Sequence, residues 1–540
     1  MVWAAAKDGA GNVFITGTFR GTATIGGNTL TATGASDIFV AKWNSSAGNF
    51  AWVQQVGGPA SNASVATAIV VGNGGIYIAG HITDSFATFG NTTLVNNSYG
   101  WAISGVGSGR YTEGFVAKLT DAGSAGQFTW VKRIGGLYNE HINALAVVGT
   151  SVYVGGDFYS QALLLDGQTT LANTAVGSAG TTGNLFVAKL TDAGSTATFE
   201  WAQGAGPQLN STTHANYIKS LAVVGGSIYA VGHCSTNVAF GNSAIALSGA
   251  TQGGLVAKLT DAGSTGSFVW ARRVGQGEYD DCTQVAASGN SVYVLGEFSS
   301  AQLTLDNATL TNTATATTDL FITKLTDAGA TGNFIWGQQM GGTSWDNGQA
   351  LAVQGNDVYV AGDFAGSVTI GGNTLVSNGY SDALVVRLRD MGTTASIQWA
   401  QQAGGAGPDG AYALVLVGTT MHVVGRVTPP ATFGSLTLAN SATFLATLAA
   451  VPLANVGPAA AQPSFEVFPN PARTVATVRV PAGNNAATLT LTDALGRVVR
   501  TQSATAGQDY PYDLAGLAPG VYALRMQAGA AVATQRLVVE

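Results

Sequence analysis

One short phrase, returning seven times, constrains this chain more than any other feature. Val358-Tyr359-Val360-Ala361-Gly362 is β-branched and aromatic and closes on a glycine followed by a polar residue, which is the pattern of a short strand. It recurs as Val13 to Gly17, Ile76 to Gly80, Val152 to Gly156, Ile228 to Gly232 and Val292 to Gly296, and in degraded form as Met421 to Gly425. The glycines are spaced 63, 76, 76, 64, 66 and 63 residues apart. Self-similarity at a near-fixed period means that one supersecondary unit is repeated in space, so the unit decides the fold.

Each unit opens on a strand of small and aliphatic residues such as Ala350 to Val353, then turns through a glycine into the repeated phrase. A hairpin-like segment follows, as in Val368 to Leu375, and after it a third strand such as Asp37 to Trp43 or Phe115 to Leu119. A Thr-Asp-Ala-Gly turn leads to a fourth strand carrying aromatic-x-Trp: Phe50/Trp52, Phe128/Trp130, Phe199/Trp201, Phe268/Trp270 and Phe334/Trp336, with Ile397/Trp399 as an aliphatic variant. Residues two apart share a strand face, so each pair presents one large apolar surface and reads as core between sheets. Lys42, Lys118, Lys189, Lys258, Lys324 and Arg387 recur at one third-strand position and read as structural, with packed stems and paired or solvated heads.

Four strands per unit without a 3.6-residue period predict an all-β fold. A seven-bladed β-propeller over residues 1–450 fits the count, because radial closure leaves few exposed edges. Hydrophobic residues at 46% in alternating runs argue for a packed core, while charged residues make up only 9%. A net charge of −7 with no basic stripe excludes nucleic acid as an expected partner. No apolar run approaches the roughly 18 residues of a membrane span. The combination Gly-x-Val-Tyr-Val-x-Gly with Asp-x-Phe-Val-Ala-Lys-Leu resembles the bacterial propeller repeats of the SBBP type over about residues 1–450; the extra hairpin makes this period longer than theirs.

The Trp strand occurs six times and the other strands seven. A Trp strand upstream of Met1 would complete the last unit, and no signal peptide precedes Val2. The expectation is therefore a native start further upstream.

Residues 451–463 lack periodicity and read as a linker. Residues 464–540 carry about six short alternating strands, which predict a small Ig-like β-sandwich. Pro469-Asn470-Pro471, Asp493 to Gly496, Leu517 to Tyr522 (with Pro519 and Gly520) and the terminal Arg536 to Val539 follow one another in this region. These motifs resemble the type A C-terminal sorting domain of the type IX secretion system. The resemblance implies the secretion machinery as a partner through residues 464–540, export to the outer cell surface or the medium, and later removal of the domain.

Candidate binding residues come from the strand ends that must share one face of a propeller. The residue after each repeated glycine gives Thr18, His81, Asp157, His233, Glu297, Asp363 and Arg426. Counting the first strands backward from Leu351 gives Ser64, Glu140, Asn216, Asp280, Asp346 and Asp409. Together they predict a polar, largely acidic ring at one mouth of the channel, with Tyr138, Tyr279 and Trp345 beside it in sequence. The same residues could instead satisfy turn amides in every unit. The irregular segment from Val95 to Glu113 is a second candidate surface.

No Cys-x-x-Cys pair and no Asp-x-Asp-x-Asp-Gly loop occurs, so neither a metal site nor a cofactor is expected. Cys234 and Cys282 fall on one face of adjacent units, which allows a disulfide in an exported protein; two buried thiols are the alternative. With no unit breaking the repeat by a unique acid, base or nucleophile, the reading is a secreted or surface binding and adhesion protein for a glycan or protein ligand, and not an enzyme. A polysaccharide-acting hydrolase or lyase is the alternative.

Overall fold

The computed structural model describes the chain apart from residues 60–63, 104–106, 168, 174–181, 208–215, 235–237, 241–245, 248–252, 276, 278, 315–316, 440–442, 450–464, 481–486, 494–496, 506 and 529–530. The linker 451–463 and Gly496 lie outside the described residues, as does His214, which the sequence alignment of the units puts near the same face as His81, His141 and His233. The chain divides into two compact units, Met1–Ala450 and Val451–Glu540. Among the described residues both are built of strands alone.

In the first unit, seven antiparallel sheets follow one plan among the described residues. The sixth pairs Asp346–Gln354, Asp357–Phe364, Asp382–Asp390 and Ala395–Ala403 in chain order. The first strand of each sheet packs against the first strand of the next, and Gly410–Val417 of the seventh sheet packs against Val2–Lys7 of the first. The inner strands thus form a closed circuit, a propeller-like all-β arrangement. The repeated phrase does not end at its glycine, as the sequence pattern suggested. Its strand runs two residues further, through Gly362 to Phe364 in the sixth sheet.

The hairpin that lengthens the period does not extend its own sheet. Phe86–Phe89 pairs with Asn49–Gly57 of the preceding sheet, Ala162–Leu165 with Gly126–Gly135, and Val238–Phe240 with Ala197–Pro207. The backbone groups of an outer strand seek partners, and the next unit's hairpin supplies them.

A buried polar latch joins successive sheets at the end away from the repeated glycines. Asp192, the last residue of the third sheet's third strand Asn184–Asp192, accepts hydrogen bonds from Lys118 Nζ at 2.6 Å, Tyr77 Oη at 2.7 Å and Trp130 Nε1 at 3.0 Å, all from the second sheet. Asp261 receives Lys189, Tyr153 and Trp201; Asp327 receives Lys258, Tyr229 and Trp270; Asp390 receives Lys324, Tyr293 and Trp336. Asp121 receives Lys42 and Trp52, with Phe14 where the tyrosine would stand. The Trp rings are also core, since Trp52, Trp130, Trp201, Trp270 and Trp336 are all buried. A single carboxylate that accepts charge-assisted bonds from three buried donors offsets its own desolvation.

Among the described residues this latch does not join the sixth sheet to the seventh. The seventh ends on its third strand, Thr443–Ala449. Arg387 turns to Asp357 of its own sheet at 3.0 Å, and among the described residues Arg387 Nε and Trp399 Nε1 are buried without a partner. A cavity of about 870 Å³, lined by Val385, Ala403, Phe433 and Phe444 among others, opens at this joint.

The second unit holds two sheets over one core. Glu466–Phe468, Val475–Arg479 and Asp509–Asp513 form one; Ala487–Thr492, Val498–Ala504, Gly520–Ala528 and Ala531–Val539 form the other. Val478, Leu489, Tyr512, Leu524 and Leu537 are buried between them.

Candidate functional site: the channel mouth

The repeated glycine has a steric cause. In every sheet the register between first and second strands slips by one residue, leaving Trp3, Thr67, Asn143, Lys219, Thr283, Gln349 and Tyr412 as the extra residue of a β-bulge. The bulge pushes the first strand's carbonyl into the space of a side chain on the second. A Cβ on Gly156 would lie 1.8 Å from His141 O, and one on Gly362 would lie 1.9 Å from Asn347 O. Only glycine fits there. The bulged residues Trp3, Asn143, Lys219, Gln349 and Tyr412 line a central cavity of about 240 Å³.

Directly above six of the seven bulges, the residue after the glycine pairs with a first-strand residue. The pairs are His81 with Val65, Asp157 with His141, His233 with Tyr217, Glu297 with Asp281, Asp363 with Asn347, and Arg426 with Gly410. Neighbouring sheets bring these pairs into contact. His81 and His141 meet edge to face with ring centroids 4.9 Å apart, and His141 Nδ1 lies 2.8 Å from Asp157 Oδ2. Tyr217 stacks on His233 at 5.6 Å and donates to Asp281 Oδ2 of the next sheet at 2.6 Å. Asn347 Nδ2 donates to Asp363 Oδ2 at 2.9 Å. His81, Asp157, His233, Glu297 and Asp363 thus stand at corresponding positions around one end of the inner strands.

The electrostatics divide the mouth. On the histidine side, burial and then the nearby His141 lower His81 to about 3, so it is neutral. Burial opposes the charged form of His141, but Asp157 outweighs it and holds the imidazole above its ordinary value. On the acid side, burial first, then Asp281 and Asp363, push Glu297 up to about 7 against the opposing Lys219. Burial raises Asp363 to about 6, with Asn347 opposing.

A pH prediction follows from Glu297. The folded chain keeps this proton up to about 7, whereas the unfolded chain releases it near 4.5. Between those values the folded state binds more proton, so this residue's contribution to stability falls as pH rises. Relative to wild type, Glu297→Gln should gain stability from pH 4.5 to 7 and level off above, by about 3 kcal/mol at most. Thermal melts of both proteins at pH 4.5, 6 and 8 check this; a difference independent of pH would refute it.

The second set of sequence candidates does not join the ring. Ser64, Glu140, Asn216, Asp280, Asp346 and Asp409 are all buried. Asp280 accepts from the amides of Gly277, Ser299 and Ser300 at 2.8, 2.9 and 3.0 Å, and Asp346 from Gly342 at 2.8 Å. Asp409 accepts from the amides of Gly405 and Thr428, and Glu140 from the hydroxyl of Ser160. These acids staple loops. The residues at the mouth are their successors His141, Tyr217, Asp281 and Asn347; the sequence alignment of the units puts His141 near this face, and the other three were missed. The bulge explains the error: counting back from Leu351 by strict alternation puts Asp346 on the face of Asp363, and one extra residue flips that parity.

The proposed disulfide is also corrected. Cys234 and Cys282 are free and buried, Cys234 in the core between third and fourth sheets and Cys282 in the core between fourth and fifth. Burial pushes the Cys234 thiol up to about 11. Among the described residues no cluster of three or more His, Cys, Asp or Glu could hold a metal ion. In the second candidate surface, Tyr99–Ile103 and Gly107–Arg110 pair as a hairpin.

In the C-terminal unit the motif residues tie the last strand down. Asn470 donates to Arg536 O at 2.6 Å and accepts from the Val538 amide at 2.9 Å. Asp493 accepts from the Arg497 amide, and the Tyr522 hydroxyl donates to Ala518 O. Pro469, Pro471, Pro519 and Gly520 fall in the segments that these bonds hold.

Comparison with known proteins bears on both units. Residues 466–540 match the family model of the secretion system C-terminal sorting domain. The chain is therefore exported by type IX secretion to the cell surface or extracellular space. No curated protein matches it in sequence. Among solved structures, a putative 6-phosphogluconolactonase from Bacteroides fragilis aligns at 10% identity and TM-score 0.36, covering 76% of this chain and 89% of that one. Trypanosoma rangeli sialidase aligns at 11% identity and TM-score 0.30, covering 87% and 82%. A glycoside hydrolase of family 32 from Bifidobacterium adolescentis aligns at 11% identity and TM-score 0.26, covering 99% and 93%. The expectation that the chain is not an enzyme is withdrawn, because the named neighbours include glycoside-cleaving proteins. Likeness at these scores carries no argument for a particular reaction. Among the described residues no helix is long and apolar enough to cross a membrane.

Proposed function

We propose that residues 1–450 are a seven-bladed β-propeller of the SBBP repeat type that binds a glycan at the channel mouth, carried outside the cell by an Ig-like sorting domain at 464–540. The observation that carries this reading is the convergence of polar and aromatic side chains from six sheets on one mouth, each placed by a glycine-dependent bulge. Convergent polar groups beside aromatic rings in a preformed concavity suit a polyhydroxylated ligand. One observation favours a second reading, cleavage of that glycan: buried Glu297 held up to about 7 beside Asp281 and Asp363 is suited to proton transfer. A glycan array probed with the whole chain tests the binding. Saturable binding lost in Glu297→Gln/Asp363→Asn supports it, and binding indifferent to both changes would exclude the mouth. Product release from the bound glycan decides the second reading.

A further inference from the structure

Several aromatic residues are exposed, among them Tyr380, Trp3 and Phe86, but Tyr279 and Trp345 are exposed and also meet ring to ring. Tyr279 and Trp345 are 56% and 47% exposed, whereas the five repeated tryptophans that bond the latch aspartates are at most 5% exposed. Tyr279 and Trp345 occupy the same place in consecutive units, just before the buried staples Asp280 and Asp346. The equivalent residues elsewhere are Ala63, Asn139, Ala215 and Pro408, so nothing in the repeat demands an aromatic there. Their rings meet at a centroid distance of 6.2 Å and an interplanar angle of 87°. An edge-to-face pair covers one face of one ring and leaves the other faces open.

Both side chains stand on fixed backbone. Asp280 gathers three loop amides, Asp346 bonds the Gly342 amide, and Trp345 O accepts from the Ala365 amide at 3.1 Å. Two residues on, roughly 7 Å along an extended chain, the same segments present Asp281 and Asn347 at the acid side of the mouth. Rigid aromatic rings lose little conformational entropy on binding, and their electron-rich faces attract the polarised C–H groups on the flat face of a pyranose.

We propose that Tyr279 and Trp345 form a stacking platform for a β-linked hexose glycan, which rests on the glycan reading above and places one sugar of the bound chain outside the mouth. The partner class follows from the platform: alternating β-linked pyranoses offer flat apolar faces edged with hydroxyls, and the polar mouth begins two residues further along both segments, at Asp281 and Asn347. The test is calorimetric titration of the whole chain with cellohexaose, chitohexaose and laminarihexaose. Wild type should bind at least one of them, and Trp345→Ala and Tyr279→Ala should each weaken it at least about tenfold, with Trp345→Phe retaining part of the affinity. Both positions are exposed, so thermal midpoints should not move. Failure of all three sugars to bind wild type, or equal binding by both alanine variants, overturns the platform. Equal binding by the alanine variants with loss in Glu297→Gln/Asp363→Asn would overturn the platform alone and leave the mouth as the site.

Discussion

Gly156→Ala should destabilise the first unit by about 3 kcal/mol, the upper end of overpacking effects, or prevent its folding. The new methyl carbon would sit 1.8 Å from His141 O, a backbone atom with nowhere to retreat, because its strand also packs against the inner strands on either side. Relief requires removing the bulge, which would slip the third sheet's inner pairing and turn His141 away from Asp157. Gly355→Ala is the control: its φ of +61° makes alanine unfavourable, but nothing stands within 4 Å, so the cost should be about 1 kcal/mol. Chemical denaturation of both variants separates the two. Equal, small effects would show that the bulges do not depend on glycine.

The second large effect concerns the latch. Asp192→Ala strips Lys118, Tyr77 and Trp130 of a shared acceptor, with the Lys118 side chain only 5% exposed. An uncompensated buried ammonium costs about 3–5 kcal/mol, so the variant should melt far below wild type. A loss under about 1 kcal/mol would mean that water replaces the carboxylate freely. The latch also resists acid. Burial alone would raise Asp192, but the bonds from Lys118, Tyr77, the Gly194 amide and Trp130 take it down to about 2. A carboxyl depressed in the folded state stabilises above its unfolded value near 3.8, and that contribution is lost only as pH falls through about 2.

Much of this architecture was legible before any coordinates. The glycine period marked the seven units, and the aromatic-x-Trp and Lys positions were read correctly as packing, because a strand's two-residue alternation leaves its apolar face visible in sequence. What stayed hidden depended on pairings between distant residues. Asp121, Asp192, Asp261 and Asp327 looked like turn residues in Thr-Asp-Ala-Gly and Asp390 drew no reading, since the donors to these five lie 54 to 115 residues away. A single bulge per sheet shifted half of the candidate site by one position, from Asp346 to Asn347 and from Asp280 to Asp281. The sequence left the cysteine pair open between a disulfide and two buried thiols, because adjacency in the repeat does not say which side of the fourth sheet each thiol enters.

The mouth as a ligand site is the centre of this account, and one titration addresses it directly. The whole chain, wild type and Glu297→Gln/Asp363→Asn, is titrated calorimetrically with the strongest glycan from the array. Saturable binding by wild type, weakened at least about tenfold in a double variant that keeps its folded spectrum, is the expected result. Equal affinity of the two proteins would contradict the assignment and move the ligand elsewhere on the chain.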